Sequence, residues 1–178
     1  MTTPPARRAR EMVEGRSDRE PADYIAETRR LYAGLGYEPY RWAERTDPPP
    51  WTPLAGPLAD RRVTLIGSGG VYRHGQIAFH TRDDTSVRLI DSDVDLSELR
   101  TAHFAYDQTD ARADPNCVFP LGPLRQLCEL GVIRGLTEHA IAFMGGIYSV
   151  RRMEAETAPL IVDECRREGT ELALLVPV

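Results

Sequence analysis

The sequence predicts an α/β fold: a three-layer, mostly parallel sheet flanked by helices and preceded by an N-terminal helix and a proline-rich connector. Short apolar runs of strand length lie at 62–67, 86–91 and 171–178. Segments with helical spacing of apolar residues separate these runs, at 120–133 and 153–169. Strands that alternate with helices are typical of a parallel sheet covered on both faces. A chain of 178 residues is long enough for one such core.

We expect three segments along the chain. Residues 1–20 are polar and rich in arginine, glutamate and proline, which predicts a flexible tail. Residues 21–61 combine a helix with a connector rich in proline and aromatic residues. The helix is expected from Pro21 to Leu35, because apolar residues recur there at helical spacing and glycines follow. Residues 62–178 are expected to form the α/β domain.

Seven elements are expected within that domain. In chain order they are strand 62–67, strand 86–91, strand 101–106, helix 120–133, strand 138–146, helix 153–169 and strand 171–178. The first strand is expected to break at the glycines after Ser68, and Pro159 predicts an irregularity in the last helix.

Composition excludes several classes of function. The net charge of −5 argues against general nucleic-acid binding, which needs a concentrated basic face. All 22 basic residues are arginine, so no lysine amine is available as a catalyst. The chain has neither an apolar run of membrane-spanning length nor a secretory signal, so we expect a cytoplasmic protein without membrane contact. Three cysteines without a C-x-x-C pair predict neither a disulfide framework nor a zinc site, and we expect no cofactor.

The segment 103–120 carries the densest group of chemically capable side chains. We expect His103, Asp107 and Asp110 to act in catalysis, because a carboxylate beside an imidazole fixes its tautomer and raises its basicity. The neighbouring polar side chains are expected to bind substrate, namely Tyr106, Asp114 and Asn116. Two other interpretations remain open: one histidine with several aspartates can ligate a metal, and aspartate and asparagine also cap ordinary turns.

Two glycine turns complete the candidate site. Gly69, Gly70 and Tyr72 follow the first strand, and Met144 and Gly145 follow the strand at 138–146. Ligands of parallel sheets collect outside the carboxyl ends of the strands, where glycine lets backbone N–H groups approach an anion. We therefore expect these five residues to contact a small-molecule substrate. The first turn does not have the dinucleotide-binding G-x-G-x-x-G spacing.

These stretches resemble the selenoprotein B type of the glycine/sarcosine/betaine reductase component B and D-proline reductase family. The resemblance covers about residues 30 to 178. It is carried by YEPYRW (37–42), VTLIGSGGVY (63–72), the run His103, Tyr106, Asp107, Asp110, Asp114, Asn116, Phe119 and Pro120, then LRQLCELGVI (124–133), FMGGI (143–147) and LALLVPV (172–178).

The resemblance implies reductive cleavage of a C–N bond in a small amino acid or amine derivative. In the family, a selenocysteine or cysteine motif acts as the nucleophile and directly follows a strand that ends in Pro-Val. Here Pro177 and Val178 are the last two residues of the sequence. Three explanations compete: a UGA codon read as a stop, a shortened chain, and a naturally short member without thiol chemistry.

Three functions follow as expectations. The first is a reductase-family domain that binds a small amino acid or amine-like substrate and is inactive in redox chemistry without the thiol or selenol. The second is a non-catalytic subunit that works with a protein partner or as a homo-oligomer, suggested by the missing motif and the aromatic connector. The third is a metal-assisted lyase or hydrolase that uses the His/Asp segment.

Overall fold

The structure, a computed structural model, describes residues 23–38 and 43–178. The described residues fall into two compact units, one ending at Thr52 and the other beginning at Pro53. The predicted tail at 1–20 lies outside the described residues. Within the described ranges, no helix is both long and apolar enough to cross a bilayer.

The first unit contains the predicted N-terminal helix. Helix α1 spans Tyr24–Gly34, and the Asp23 carboxylate caps it by accepting a hydrogen bond from the Ala26 N–H at 2.9 Å. It ends where Gly36 adopts a left-handed conformation with φ of 74°. Residues 43–52 form neither helix nor strand, as the prolines of the connector predict.

The second unit is built on a mostly parallel sheet, which confirms the predicted α/β class. Its strands are β1 (Arg62–Gly67), β3 (Val87–Asp91), β5 (Gly135–Leu136), β6 (His139–Phe143) and β7 (Leu172–Val176). Strands β5, β6 and β7 all run parallel to β1, whereas β3 pairs antiparallel with β6. Because Val63 pairs with both Leu136 and Leu172, β7 lies on the side of β1 opposite to β5 and β6.

A second, two-stranded sheet corrects one sequence prediction. Strands β2 (Val71–Arg73) and β4 (Leu99–Thr101) pair antiparallel. The strand predicted at 101–106 is therefore wrong beyond Thr101. The reason is the partner's length: β2 begins directly after Gly70, so the chain beyond Thr101 has no further ladder to join.

Helices flank the main sheet. They are α2 (Thr109–Ala113), α3 (Leu121–Glu129), α4 (Val150–Arg152) and α5 (Ala158–Arg167), with short 3-10 turns at Leu58–Asp60, Leu96–Glu98 and Pro115–Cys117. A π-helical turn, Met153–Thr157, joins α4 to α5. Pro159 has no N–H to donate within the helix, so the predicted irregularity lies directly before it.

The core occupies mainly one face of the sheet. Phe119, Leu121 and Leu124 pack there against Val63 and Leu65, and all five are buried. The opposite face is covered less completely. An apolar groove of about 480 Å³ separates α5 from the ends of the strands; it is lined by Ile66, Ser68, Phe143, Met153, Ala158, Ile161, Val162, Leu175, Val176 and Pro177.

Candidate functional site

The two predicted glycine turns lie together at the carboxyl ends of β1 and β6. Gly69 forms a backbone bridge with Met144. The Gly145 N–H donates to the Ser68 carbonyl at 2.8 Å, and the Gly70 N–H donates to the Phe143 carbonyl at 3.1 Å. We call this edge, residues 68–70 and 144–145 together with the end of β7, the rim.

The end of β7 joins the rim through Ser68. The Val178 N–H donates to the Ser68 hydroxyl at 2.9 Å, and the Ser68 N–H donates to the Val176 carbonyl at 3.1 Å. A Cβ on Gly145 would lie 3.1 Å from the Val178 carbonyl oxygen. The end of β7 and the turn after β6 are therefore in close contact.

Gly70 brings the segment after β4 against the rim. Its φ is 66°, and a Cβ there would lie 2.2 Å from the Ala102 carbonyl oxygen, so only glycine fits. The Ala102 N–H donates to the Gly70 carbonyl at 2.9 Å. The Tyr106 hydroxyl donates to the Gly69 carbonyl at 2.9 Å, which fastens the segment a second time.

His103 is the most unusual side chain of this segment. It is only 6% exposed, and its ring packs against the rings of Phe104 and Tyr106 with centroid distances of 5.7 and 4.7 Å. Its Nδ1 accepts a hydrogen bond from the Ala105 N–H at 3.0 Å, so in the neutral ring the proton is on Nε2. That Nε2 is buried and has no partner. Burial lowers the pKa of His103, which favours the neutral ring.

Two further buried polar atoms near His103 have no partner. They are the Thr101 hydroxyl oxygen and the Gln108 side-chain oxygen. The Gln108 amide N–H donates to the His103 carbonyl, so the unpaired oxygen of Gln108 belongs to the surroundings of His103. Buried polar groups are almost always bonded, so three unpaired ones in eight residues mark this segment as a place for a ligand or ordered water.

Sequence reasoning missed Gln108. It lies inside the segment 103–120, but an uncharged amide is neither a titratable group nor a strong metal ligand. Its signal is the burial of the amide oxygen, which only the folded structure reveals.

The carboxylates of the segment form local caps. Asp107 accepts hydrogen bonds from the N–H and the hydroxyl of Thr109 at 3.0 and 2.7 Å, and these bonds lower the pKa of Asp107. Asp114 accepts from the backbone and side-chain N–H groups of Asn116 at 3.0 and 2.9 Å. This geometry favours the turn interpretation of the aspartates.

The other predicted residues have simple positions. The Asn116 side-chain oxygen accepts from the Gly122 N–H at 2.9 Å. Asp110 is exposed in the first turn of α2, and Tyr72 is half-buried in β2 opposite Arg100. Of the predicted polar side chains, Tyr106 bonds directly to the rim. The catalytic assignment of Asp107 and Asp110 stays a prediction.

A group of side chains that could hold a metal ion lies elsewhere in the second unit. Among the described residues, the trio of His, Cys, Asp or Glu side chains close enough to share an ion is Glu138, His139 and Glu168. His139 begins β6, so this group is at the amino end of that strand, and no residue of the segment 103–116 belongs to it.

His139 lies between two carboxylates. Its Nδ1 is 2.7 Å from a Glu168 oxygen, and its Nε2 is 3.4 Å from an Asp91 oxygen. The buried Glu168 also accepts from the Glu138 N–H at 2.9 Å. Burial raises the pKa of Glu168, but hydrogen bonds from His139 and from the backbone N–H groups of His139 and Glu138 outweigh it, so the pKa lies below its usual value.

The three cysteines are free and differ in exposure. Cys117 is exposed, whereas Cys128 and Cys165 are half-buried in helices α3 and α5. Burial raises the pKa of both half-buried thiols, which disfavours their thiolates.

Comparisons with known proteins identify a family. Residues 47–175 match the family model of glycine/sarcosine/betaine reductase selenoprotein B. The D-proline reductase subunit gamma of Acetoanaerobium sticklandii is 35% identical over 130 residues, which are 73% of this chain and 54% of that protein. The chain therefore spans about half the length of this curated relative. No solved structure gives a significant match. The chain belongs to the glycine/sarcosine/betaine reductase selenoprotein B family.

Proposed function

We propose that the rim binds a small amino acid or amine-like substrate for reductive cleavage of a C–N bond. The observation that carries the proposal is the buried, unpaired Nε2 of His103, a residue whose Cβ would lie 3.5 Å from a Cβ on Gly70 of the rim. An unpaired buried donor costs roughly 1–3 kcal/mol, and a substrate oxygen that accepts its hydrogen bond removes that cost. The family's named substrates, and the D-proline of the relative's name, are of this chemical class.

In this proposal His103 orients the substrate, and Tyr106 keeps the rim in shape. A neutral imidazole with its proton on Nε2 can donate to a carboxylate or carbonyl oxygen. Tyr106 bonds the Gly69 carbonyl, so it acts on the backbone of the rim. Asp107 caps the next turn and is assigned to the shape of the segment.

The reducing group is proposed to come from the end of β7. The family resemblance places a thiol or selenol directly after a Pro-Val pair, and Val178 bonds to Ser68 beside Gly145. A nucleophile following Val178 would start at the rim. None of the three cysteines lies in the rim, so we propose that the chain as given binds substrate without reducing it.

The test titrates the purified chain with D-proline and with glycine in a calorimeter. We expect saturable binding that His103→Phe weakens by at least tenfold. Binding that His103→Phe leaves unchanged contradicts the proposal.

A second function is proposed from the apolar surface around β7. Leu175 is 67% exposed on this strand, and Val162 of α5 is 44% exposed in the neighbouring groove. Exposed contiguous apolar surface of this kind is typical of protein interfaces. We therefore propose that the chain works with a protein partner or as a homo-oligomer, and the relative's name, a subunit, is consistent with this.

Sedimentation velocity tests the second function. The wild-type chain is expected to sediment as an oligomer or to retain a defined partner through purification, and Leu175→Glu is expected to abolish either. A wild-type chain that stays a monodisperse monomer and retains no partner contradicts it.

Because the cysteines are free, we place this function in a reducing compartment, the cytoplasm.

A further inference from the structure

The Gln108 side chain has a fixed orientation. Here one amide atom faces the carbonyl oxygen of His103. Only the nitrogen can donate to that oxygen, and the reversed amide would place two acceptors against each other. The unpaired atom of Gln108 is therefore a hydrogen-bond acceptor.

Gln108 and His103 present opposite hydrogen-bonding groups. The free group of His103 is the N–H at Nε2, a donor, and the free group of Gln108 is its Oε1, an acceptor. Both are buried, and both belong to one short segment beside the rim. They do not bond each other, so each needs a separate partner atom. A molecule that carries both an acceptor and a donor can supply the two partners.

We propose that Gln108 is a specificity-determining residue that reads the amino group of the substrate. Its Oε1 accepts a hydrogen bond from the substrate N–H, while the Nε2–H of His103 donates to the substrate carboxylate. The inference rests on the proposed function, because it assigns a role within the same site. It also states which end of the ligand faces which side chain.

The donor of His103 and the acceptor of Gln108 together predict which ligands bind: those with both a carboxylate and an N–H are favoured over those that lack the N–H. An ammonium or amine group supplies the donor that Gln108 lacks, and a ligand without one leaves the Gln108 oxygen unpaired. Sites built to bond a substrate N–H reject analogues that lack it far more strongly than they reject a change in size. Proline should therefore bind more tightly than its ring-oxygen analogue, tetrahydrofuran-2-carboxylate, which keeps the carboxylate and loses the N–H.

The experiment titrates the full chain with D-proline, tetrahydrofuran-2-carboxylate and pyrrolidine, which has the amine alone. Gln108→Leu is expected to weaken D-proline binding by about tenfold, the loss of one hydrogen bond to a charged group. It should change binding of tetrahydrofuran-2-carboxylate by less than twofold. His103→Phe should weaken both carboxylates and spare pyrrolidine. Gln126→Leu, at an exposed position of α3, is the matched control and should change nothing.

A second measurement needs no variant and covers the case in which Gln108→Leu fails to fold. The side-chain amide signal of Gln108 is followed by NMR in the wild-type chain. It is expected to shift on addition of D-proline and of pyrrolidine, and to stay in place with tetrahydrofuran-2-carboxylate.

The outcomes separate this inference from the function on which it rests. If the wild-type chain binds none of the three probes, the proposed function is overturned, and the role of Gln108 with it. If D-proline binds but Gln108→Leu weakens both carboxylates equally, or neither, only the role of Gln108 is overturned. An ordered water that stays bonded to the Gln108 oxygen with D-proline bound overturns it as well.

Discussion

Two histidines of the domain, His103 and His139, lie near opposite ends of the parallel strands and have opposite surroundings. His139, at the amino end of β6, has a carboxylate near each ring nitrogen, from Glu168 and Asp91. His103, held against the rim by the segment after β4, is buried with one ring nitrogen bonded to the backbone and the other unpaired. Both are imidazoles in a packed domain, but of the two only His103 has a buried ring nitrogen without a hydrogen-bond partner.

This difference is why we propose a binding role for His103 and a structural role for His139. At His139 the chain places a carboxylate near each ring nitrogen: Nδ1 shares a hydrogen bond with Glu168 at the end of α5, and Nε2 lies 3.4 Å from an Asp91 oxygen of β3. At His103 the chain provides burial but leaves a donor unpaired, a cost that natural proteins accept mainly where a ligand or water completes the site. The two ends of the sheet should therefore respond differently to substitution.

The largest effect is expected from Gly70→Ala, which forces the rim apart. The new Cβ would combine a left-handed backbone with a 2.2 Å approach to the Ala102 carbonyl oxygen. We expect a loss of about 4 kcal/mol in the free energy of unfolding, from backbone strain and overpacking together. Gly131→Ala is the matched control, because its φ is 67° and no atom would lie within 4 Å. It should cost about 1 kcal/mol in a denaturant titration, and equal losses would contradict the close approach.

The second largest loss of stability is expected from Glu168→Gln, which removes the buried negative charge beside His139 at the amino end of β6. The buried carboxylate bonds the His139 ring and two backbone N–H groups, so we expect a loss of about 2–3 kcal/mol at pH 7. Because the pKa of Glu168 is lowered by folding, its stabilisation is present above pH 4.5 and is lost as the pH falls through the folded-state value.

Denaturant titrations across pH measure both parts of this prediction. The gap between wild type and Glu168→Gln should narrow below pH 4.5. Asp163→Asn, a substitution of an exposed carboxylate on the same helix, should stay within about 0.5 kcal/mol of wild type at every pH. A gap that does not depend on pH would show that Glu168 acts by packing alone.

A smaller effect is expected from Tyr106→Phe. This change removes the hydrogen bond to the Gly69 carbonyl and keeps the ring against His103. We expect a loss of about 1 kcal/mol in the free energy of unfolding. Hydrogen exchange at the amide of Gly70 should also become faster. Unchanged exchange there would mean that Tyr106 does not hold the rim.

The smallest effect is expected in the contribution of His103 to the pH dependence of the free energy of unfolding. Burial lowers the pKa of the folded-state imidazole below the unfolded value of 6.5, so the unfolded chain binds more protons. Stability should therefore fall as the pH drops below 6.5, and His103→Gln should show a shallower fall. Equal slopes in wild type and variant would place the charged imidazole in contact with solvent or an anion.

The local sequence pattern predicted a strand correctly where the strand that pairs with it is long enough. The run at 62–67 is apolar and β-branched, and it became β1 with paired strands on both sides. The segment 101–106 was also predicted to be a strand, but the strand stops at Thr101 because β2 offers three residues to pair with. The length of the pairing strand, here β2, cannot be predicted from the residues of the segment 101–106 alone.

The candidate site was predictable to the level of the segment and not of the atom. The glycine turns were singled out because parallel strands collect ligands at their carboxyl ends, and His103 was singled out because several carboxylates lie near it in the sequence. Gln108 was missed because its signal is burial, and Glu168 was missed because it reads as an exposed charge at a helix end. Its burial depends on His139, 29 residues earlier in the chain.

The most direct test follows the imidazole nitrogens of both histidines by ¹⁵N NMR as D-proline is added at pH 7. We predict a neutral His103 with its proton on Nε2, whose Nε2 signal shifts saturably with ligand while the His139 signals stay fixed. If the His103 signals do not move at ligand saturation, or if His139 moves and His103 does not, the rim is not the binding site.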